Sequence, residues 1–342
     1  MSLVSRYAGV VCDLDGVVYR GEDAVPYAVD CLAALEVPLL YATNNASRSP
    51  DEVAEHLRAL GLAADADAVV TSAQAGAAEI ARHEGVTRVL AVGGPGVAEA
   101  LREQGLEPVL PAEAQGRPID AVLQGYGRAV SAGDLGEAAY AVQGGALWVA
   151  SNDDLTIPTE RGVAPGNGSL VAAVRNAVDV DPIVVGKPHP PLYHLAAERT
   201  GLAAERLLAI GDRLDTDIAG AHAAGMDSVL VLTGVDSLAT LAASAPEQRP
   251  TYLLDDLRGL GRDDPALEGA QGWFVCGGAR VRVENGDWAS ASTAVPEDPA
   301  ERLCWARAAV AALHAEVDAG RLRPEEAARV MGSITARQGP AQ

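Results

Sequence analysis

The feature that most constrains the fold is a series of short apolar runs, each of which ends in polar residues. The runs GVVC, VPLLYA, PIVVG, RLLAIG and SVLVLTG are spread between residues 9 and 234. Helical patterns lie between them, such as SPDEVAEHLRALGL, where Ser49 and Pro50 suit a helix start and Gly61 suits a helix end. Apolar runs that alternate with amphipathic helices are typical of parallel strands covered by helices on both faces. The sequence therefore predicts an α/β fold built on a parallel sheet.

The polar residues that end these runs are expected to meet at one edge of the sheet, because open parallel sheets bind ligands beyond the carboxyl ends of their strands. They are Asp13, Asp15, Thr43, Asn44, Lys187 and Asp212, with Asp217 a few residues further on. Neighbouring carboxylates raise each other's pKa unless a cation lies between them. Four acids at one edge therefore favour a hard divalent cation with oxygen ligands, most simply Mg²⁺, completed by water and a substrate phosphate.

The length of 342 residues predicts two or three domains. Residues 78–182 carry strand patterns of their own, such as RVLAVGG and DAVLQGYG, and interrupt the series of apolar runs. We interpret this block as an α/β domain inserted into a core that consists of residues 1–77 and 183–250. The inserted block lies next to the predicted polar edge, where it could act as a lid.

The remaining segment, residues 251–342, has a different character. The pattern GWFVCGGARVRVENGDW predicts a hairpin that turns at Gly277-Gly278 or at Asn285-Gly286. Helical patterns then begin at Pro299 and Pro324. We expect a small α+β domain whose role is packing or oligomer contact.

The net charge of −21, from 47 acidic and 26 basic residues, disfavours several classes of partner. Nucleic acids and anionic membranes are disfavoured, because both attract basic surfaces. A small anionic substrate would need local cations at its site. No apolar run has membrane-spanning length, no signal-peptide pattern stands at the start, and the four cysteines have no metal-binding spacing. A cytoplasmic location is expected.

The motifs DLDGV, TNN, GKP and GDRLDTD, in this order, resemble the four signatures of the haloacid dehalogenase (HAD) superfamily's phosphatases. The large block between the second and third motifs resembles the α/β cap of the NagD, 4-nitrophenylphosphatase and phosphoglycolate phosphatase branch. The resemblance extends from about residue 10 to residue 234. It implies a Rossmann-like HAD core and an inserted α/β cap domain. The small α+β C-terminal domain lies beyond this match, and it resembles the acetyltransferase-like extra domain found in some of these phosphatases.

The resemblance implies a role for each acidic residue. Asp13 would attack phosphorus and form an aspartyl-phosphate, while Asp15 would protonate the leaving oxygen and then accept a proton from water. The Asp13 side chain, the Asp15 backbone carbonyl and the Asp212 side chain would bind Mg²⁺. Asp217 would orient a metal-bound water from the second shell of ligands.

The other matching residues would handle the phosphate. Thr43 would donate a hydrogen bond to a phosphoryl oxygen, helped by backbone N–H groups around Asn44, and Asn44 and Asn45 are predicted to bind substrate. Lys187 would balance the charges of the nucleophile and the phosphate. These positions complete a site for phosphomonoester hydrolysis.

The Gly-rich segment PTERGVAPGNGSL is predicted to be a loop that lets backbone approach the substrate, followed by a helix near Gly168-Ser169. Cap residues set substrate choice in the family. The candidates here are Asn152, Glu160, Arg161 and Asn167. Arg161 alone among them has the charge to assist an anion, although a surface ion pair is an equal alternative for it.

Other functions use similar residues. A dehalogenase shares the fold and the nucleophile but needs no metal, so Asp15, Asp212 and Asp217 argue against it. A phosphomutase is disfavoured by the size and position of the cap. A switch protein phosphorylated on Asp13 would also bind Mg²⁺. Such proteins need neither a second aspartate at position 15 nor a cap, so both features argue against this alternative.

The predicted function is therefore Mg²⁺-dependent hydrolysis of a small phosphomonoester. The overall resemblance favours glycerol 3-phosphate, and 2-phosphoglycolate, nucleoside monophosphates and pyridoxal phosphate stay open as substrates. A homodimer is also open, because cap-mediated dimers are common among the related enzymes.

Overall fold

The computed structural model describes residues 2–159, 161–284, 287–290 and 295–335. The strands in chain order are β1 (Gly9–Cys12), β2 (Tyr19–Arg20), β3 (Asp23–Ala24), β4 (Leu39–Thr43), β5 (Val69–Thr71), β6 (Arg88–Val92), β7 (Glu107–Val109), β8 (Ala121–Gln124), β9 (Leu147–Ala150), β10 (Thr156–Thr159), β11 (Gly162–Pro165), β12 (Ile183–Val184), β13 (Leu207–Gly211), β14 (Asp227–Val231), β15 (Tyr252–Leu254), β16 (Leu267–Ala270), β17 (Trp273–Cys276), β18 (Ala279–Glu284) and β19 (Asp287–Ser290). The helices are α1 (Ala28–Ala33), α2 (Pro50–Ala59), α3 (Ser72–Ala81), α4 (Pro95–Glu103), α5 (Ala132–Gln143), α6 (Asn167–Arg175), α7 (Pro191–Thr200), α8 (Ala219–Ala223), α9 (Leu238–Ala242), α10 (Pro299–Asp318) and α11 (Pro324–Thr335). Short 3-10 helices lie at Val4–Arg6, Ala66–Ala68, Pro111–Glu113, Ala204–Arg206, Pro246–Gln248 and Leu257–Gly261, and a π-helix lies at Leu214–Ile218.

The first sheet has six parallel strands in the order β15-β14-β13-β1-β4-β5. Its central strand β1 is level with both neighbours, since Cys12 stands opposite Ile210 of β13 and opposite Tyr41 of β4. The residues that follow β1, β4 and β13 therefore leave the sheet at the same edge. The predicted α/β fold with a Rossmann-like parallel sheet is confirmed.

The second sheet has five parallel strands in the order β12-β9-β8-β6-β7. Strand β12 was expected in the first sheet, but it pairs with β9, with Ile183 opposite Val149. A two-residue apolar strand suits either sheet, and the next residue continues the pairing because Val185 N–H donates to the Ala150 carbonyl at 3.2 Å. This pairing leads the chain from the second sheet directly to Lys187. The boundary between residues 182 and 183 stays a prediction.

The two sheets share one buried hydrophobic cluster, and helix α3 contributes to it. The cluster includes Val11 and Val70 from the first sheet, Leu123 and Val149 from the second, and Ile80 from α3. Helix α3 approaches β8 closely at Gly76, since a Cβ there would lie 2.4 Å from a Leu123 methyl carbon, which would have to shift. The inserted block is thus packed firmly on the core.

The segment predicted to be a Gly-rich loop is instead an antiparallel hairpin of β10 and β11, in which Thr159 stands opposite Gly162. The Thr159 hydroxyl donates to the Gly162 carbonyl at 2.7 Å, and Gly162 has a φ of +122°, which favours glycine. These two features close the turn and explain why the loop expectation is wrong. Helix α6 follows at Asn167, next to the predicted start.

The C-terminal segment forms a four-stranded antiparallel sheet, β16-β17-β18-β19, with α10 packed on β17 and β18. The predicted turn at Gly277-Gly278 is confirmed, with Cys276 opposite Ala279. The alternative turn at 285–286 lies outside the described residues. Trp305 and Leu313 of α10 share a buried cluster with Leu230 of the first sheet, so this segment also packs on the core. Among the described helices, none is both long and apolar enough to cross a membrane.

Candidate active site

A buried lysine lies at the centre of the site. The Lys187 side chain leaves the loop after β12 and is 3% exposed. Its Nζ donates hydrogen bonds to Asp13 Oδ1, to Asp217 Oδ1 at 2.7 Å and to the Ala42 carbonyl at 3.2 Å. The two carboxylates raise the pKa of Lys187 against the opposing effect of burial, which is the largest single influence on it. The lysine is therefore held as a cation between two acids that follow different strands, Asp13 after β1 and Asp217 in the π-helix after β13.

Asp217 is fixed by backbone groups of its own loop. Its Oδ2 accepts hydrogen bonds from the N–H groups of Asp212 at 3.3 Å and Arg213 at 3.1 Å. The π-helix Leu214–Ile218 contains Asp217, and such local widening of a helix is frequent at functional sites. Gly211 is necessary here, because a Cβ at that position would overlap the Asp217 side chain.

Three carboxylates form an acidic cluster. Asp13, Asp212 and Asp217 each offer an oxygen, and these oxygens lie within 4.8 Å of one another. Burial, followed by the charges of Asp217 and Asp212, raises the pKa of Asp13 despite the neighbouring Lys187. Burial and then Asp217 raise the pKa of Asp212 to about 6. Ionised carboxylates at this separation require more positive charge than one lysine supplies.

Asp212 has an oxygen free for a ligand. Its Oδ2 accepts a hydrogen bond from Val235 N–H at 2.7 Å, whereas its Oδ1 is buried without a hydrogen-bond partner among the described residues. Gly16 and Gly234 line the same carboxylate, and a Cβ at either position would overlap it. A buried, unpartnered carboxylate oxygen beside two further acids is suited to a hard divalent cation. The residues present therefore fit the predicted metal.

Asp15 stands at the mouth of the site. Gly16 has a φ of +82°, and the N–H groups of Val18 and Tyr19 both donate to the Leu14 carbonyl, at 2.8 and 3.2 Å. This tight turn keeps Asp15 close to Asp13 while exposing its side chain. Protein on the remaining sides raises the pKa of Asp15 by desolvation, so the carboxyl has more tendency to hold a proton.

The residues after β4 shape a loop beside the acids. The Thr43 hydroxyl oxygen accepts a hydrogen bond from Asn45 N–H at 3.1 Å, and Thr43 is buried. The Asn45 Oδ1 accepts from Ser47 N–H at 2.9 Å and from the Ser47 hydroxyl at 2.6 Å. Both side chains thus hold the loop in place. No residue in the described ranges accepts the Thr43 hydroxyl hydrogen, so the hydroxyl can donate to a ligand.

Asn44 connects three parts of the chain. Its Oδ1 accepts from Lys187 N–H at 2.8 Å, and its Nδ2 donates to the Lys187 carbonyl at 2.9 Å and to Asp154 Oδ2 at 3.0 Å. Its carbonyl accepts from the Ser72 hydroxyl and from Asn152 Nδ2, both at 2.7 Å. The polar groups of the Asn44 amide are thus already used within the protein.

The cap candidates occupy different surroundings. Asn167 is 1% exposed, and its Nδ2 donates to the Asn152 carbonyl at 2.7 Å. Asn152 in turn contacts Asn44, as described above, so both amides join protein segments. Arg161 is exposed at the hairpin turn, where its side chain makes no ion pair with any residue of the described ranges. Glu160 lies outside the described residues.

Sequence patterns did not reveal Asp154 or Tyr193. Burial raises the pKa of Asp154, while Asn44 and then Arg213 act in the opposite direction. The Tyr193 hydroxyl donates to the Asp217 carbonyl at 3.1 Å. Their partners lie 110 and 24 residues away. The doublet Asp153-Asp154 directly after Asn152 was the one local signal, and it resembles any polar turn.

Comparisons with known proteins agree with this geometry. Residues 10–107 match a model of the haloacid dehalogenase-like hydrolase family, and residues 184–260 match a HAD-hydrolase-like model. The D-glycerol 3-phosphate phosphatase of Mycobacterium tuberculosis is 47% identical over 291 residues, which cover 84% of this chain and 81% of that protein. The acid sugar phosphatase of Staphylococcus saprophyticus is 35% identical over 257 residues, 74% of this chain and 96% of that protein.

Solved structures of phosphatases are also similar to this chain. A glycerol phosphate phosphatase from M. tuberculosis in complex with magnesium superposes with a TM-score of 0.80 and 42% identity, covering 90% of this chain and 91% of that chain. NagD from E. coli gives a TM-score of 0.66 with 30% identity, covering 73% and 97%.

A parallel α/β core with an inserted cap and an aspartate cluster at its strand ends defines a class of phosphomonoester hydrolases. Within that class, the chain belongs to the haloacid dehalogenase-like hydrolase family. The predicted membership of this family, the predicted fold and the predicted phosphatase activity are thereby confirmed.

Proposed function

We propose that this protein hydrolyses glycerol 3-phosphate to glycerol and phosphate with Mg²⁺ as cofactor. The observation that carries the proposal is the arrangement of Asp13, Asp212 and Asp217 around Lys187, with a carboxylate oxygen of Asp212 that has no hydrogen-bond partner in the described part of the chain. Relatives that cover most of the chain support it, because one is a D-glycerol 3-phosphate phosphatase and a similar structure contains magnesium.

The first half-reaction uses two aspartates. A carboxylate oxygen of Asp13 attacks phosphorus, a P–O bond to Asp13 forms, and the bond from phosphorus to the glycerol oxygen breaks. Asp15 supplies the proton that the departing alkoxide needs. Its raised pKa favours the protonated form that this step requires.

The second half-reaction reverses the proton transfer. Asp15 accepts a proton from water, the water oxygen attacks phosphorus, and the bond from phosphorus to Asp13 breaks. Phosphate leaves and both aspartates return to their initial states. The same two side chains therefore serve both steps.

Lys187, Thr43 and the metal would offset the negative charge. Lys187 holds Asp13 in place and faces the phosphoryl oxygens, while Thr43 donates its free hydroxyl hydrogen to one of them. Asp13, the Asp15 carbonyl and Asp212 would hold Mg²⁺, which when bound neutralises the carboxylates and the phosphate. Asp217 orients this set through the lysine and its backbone contacts. Local cations are needed because the chain carries a net charge of −21.

Substrate choice would depend on residues near the cap. We propose that Arg161 on the β10–β11 hairpin contacts the substrate, together with Glu160, which lies outside the described residues. Asn45 would act by ordering the loop after β4, since its N–H donates to the Thr43 hydroxyl oxygen and its Oδ1 accepts from Ser47, so that backbone N–H groups around Asn44 can donate to the substrate phosphate. Asn44, Asn152 and Asn167 support the site from behind, since their amides bind protein groups. 2-Phosphoglycolate, nucleoside monophosphates and pyridoxal phosphate are the competing substrates.

The proposed setting is the cytoplasm, with a small phosphomonoester as partner, no nucleic acid and no membrane. The four free cysteines and the acidic net charge support it. A homodimer is part of the proposal by analogy with the family's capped phosphatases.

The test is phosphate release from glycerol 3-phosphate and from the three competing substrates, with Mg²⁺ or EDTA. We expect turnover that requires both the metal and Asp13, with Asp13→Asn inactive and glycerol 3-phosphate giving the highest kcat/KM. A higher kcat/KM for another substrate would overturn the substrate assignment. A folded protein that binds Mg²⁺ but releases phosphate from none of them would overturn the hydrolase and favour the switch protein.

A further inference from the structure

An aspartate of the inserted block contacts the core directly. Asp154 lies between β9 and β10, is half-buried, and accepts a hydrogen bond from Asn44 Nδ2 through its Oδ2 at 3.0 Å. Its backbone is held by the start of α6, because the Asp154 carbonyl accepts from Gly168 N–H at 2.9 Å. A Cβ at Gly166 would overlap that same carbonyl oxygen. Asp154 therefore presents its carboxylate from a well-fixed segment.

The Asn44 side chain that contacts Asp154 also hydrogen-bonds to the Lys187 backbone. The amide bonds to the lysine backbone on both sides, with Oδ1 facing the N–H group and Nδ2 facing the carbonyl. Nδ2 has two hydrogens, and Asp154 accepts the second one. A rotated amide would place its oxygen against the Asp154 carboxylate, which is repulsive. Asp154 thus favours the one amide orientation that binds the lysine backbone.

We propose that Asp154 is a positioning residue that acts through Asn44 to hold Lys187 between Asp13 and Asp217. The inference rests on the proposed function and adds to it a residue of the inserted block that influences Lys187 indirectly, through Asn44. Asn152 makes a separate tie between the same segments, from its Nδ2 to the Asn44 carbonyl at 2.7 Å. That hydrogen bond goes to the Asn44 backbone and does not involve its side-chain amide. Asn152 therefore helps to dock the cap, whereas Asp154 orients the Asn44 side-chain amide.

The first experiment compares Asp154→Ala, Asp154→Asn and Asp153→Ala in the full chain. Asp153 is the matched control, because it is the exposed neighbour, carries the same charge and contacts His189 at 3.5 Å rather than Asn44. Asp154→Ala should lower kcat about tenfold while KM changes less than about twofold, as for the loss of one charge-assisted hydrogen bond. Asp154→Asn keeps an acceptor oxygen and should recover most of the loss.

The second experiment asks whether Asp154 acts through Asn44. In the Asn44→Ala background, adding Asp154→Ala should change kcat less than about twofold, because the pathway is already broken. An unchanged tenfold loss in that background would show that Asp154 acts by another route and would overturn the proposal. If Asp154→Ala does not fold, Asp154→Ser replaces it, since its hydroxyl is too short to reach Asn44.

A third measurement does not depend on turnover. The Lys187 N–H donates to Asn44 Oδ1, so hydrogen exchange of that amide should be faster in Asp154→Ala than in wild type or Asp153→Ala. If wild type releases no phosphate from any substrate, the proposed function fails and exchange still decides the positioning role. An active Asp154→Ala variant with wild-type kcat and wild-type exchange at Lys187 would overturn this inference alone.

Discussion

Tyr193 and Asp217 are joined by a buried hydrogen bond, in which the tyrosine hydroxyl donates to the aspartate's backbone carbonyl oxygen at 3.1 Å. The bond links α7 to the π-helix Leu214–Ile218, whose Asp217 side chain holds Lys187. Burial raises the pKa of Tyr193, so the hydroxyl stays protonated and remains a donor. A side chain on a helix outside the acidic cluster thus supports the cluster's geometry.

Tyr193→Phe should lower the free energy of unfolding by about 1–3 kcal/mol, because it leaves a buried carbonyl without its donor. It should also lower kcat, since Asp217 is less constrained. Urea unfolding and steady-state kinetics measure the two effects. Tyr140→Phe is the control, because Tyr140 is 66% exposed. Equal unfolding midpoints for the two variants would contradict the prediction.

Gly234→Ala should weaken metal binding. A Cβ at this position would overlap the Asp212 carboxylate, which must then shift from its place in the acidic cluster. We expect the Mg²⁺ concentration for half-maximal activity to rise about tenfold or more, equivalent to about 1.4 kcal/mol. Gly261→Ala is the matched control, since a Cβ there meets no atom within 4 Å. Identical Mg²⁺ dependence in both variants would show that Asp212 does not hold the metal.

Asp212→Asn should remove most of the increase in the free energy of unfolding that Mg²⁺ binding gives. In wild type, Mg²⁺ at about 100 times its Kd should add about 2.7 kcal/mol to the free energy of unfolding. The variant should lose most of this gain, yet be at least as stable as wild type in EDTA, because one of three repelling carboxylates is removed. Thermal or urea unfolding with and without Mg²⁺ measures both effects.

The control for that experiment is Asp215→Asn, which removes an exposed acid paired with Arg213 nearby in the chain. It should keep the wild-type response to Mg²⁺. A full Mg²⁺ response in Asp212→Asn would refute the assigned ligand.

His314 should make stability depend on pH. Its Nε2 lies 2.7 Å from the Leu241 carbonyl, which can only accept, so the ring donates this hydrogen bond as α10 packs on α9. Burial lowers the pKa of His314, with Arg249 acting in the same direction and Asp318 and the Leu241 carbonyl opposing it. The unfolded chain therefore binds a proton more readily than the folded protein between the folded pKa and about 6.5.

Stability should consequently be full above about pH 6.5 and fall as the pH drops towards the lowered pKa of the folded state. Urea midpoints at neutral and mildly acidic pH should show a larger loss for wild type than for His314→Gln. His222→Gln, at an exposed histidine, should lose as much as wild type. An equal acid-induced loss in wild type and His314→Gln would rule out this histidine as the cause.

Much of the fold followed from local patterns. Ser49 accepts from Glu52 N–H, Glu52 accepts from Ser49 N–H, and Pro50 begins α2 as the helix-start pattern predicts. The two C-terminal helices begin at Pro299 and Pro324, again at predicted prolines. Helix caps and turns involve residues a few positions apart, so a short stretch of sequence is enough to predict them.

The sequence alone also determined which residues meet at the sheet edge. Parallel strands place their carboxyl ends together, so Asp13 after β1 and the pair Asp212 and Asp217 after β13 converge as expected. Lys187 meets them too, but it follows β12 of the second sheet, so its position does not follow from the edge of the first sheet. Their order in the chain carried the family resemblance as well. The end of each strand can be predicted from the end of an apolar run, without information about contacts between distant residues.

Only the tertiary structure decided which sheet β12 joins and what the amides of Asn44, Asn152 and Asn167 bind. A short apolar strand has the same pattern in either sheet, and an amide binds whichever donor or acceptor the fold brings near it. Asn44 meets Asp154 across 110 residues and Lys187 across 143. Pairings over such separations are chosen by the packing of the inserted block on the core, which no local pattern records.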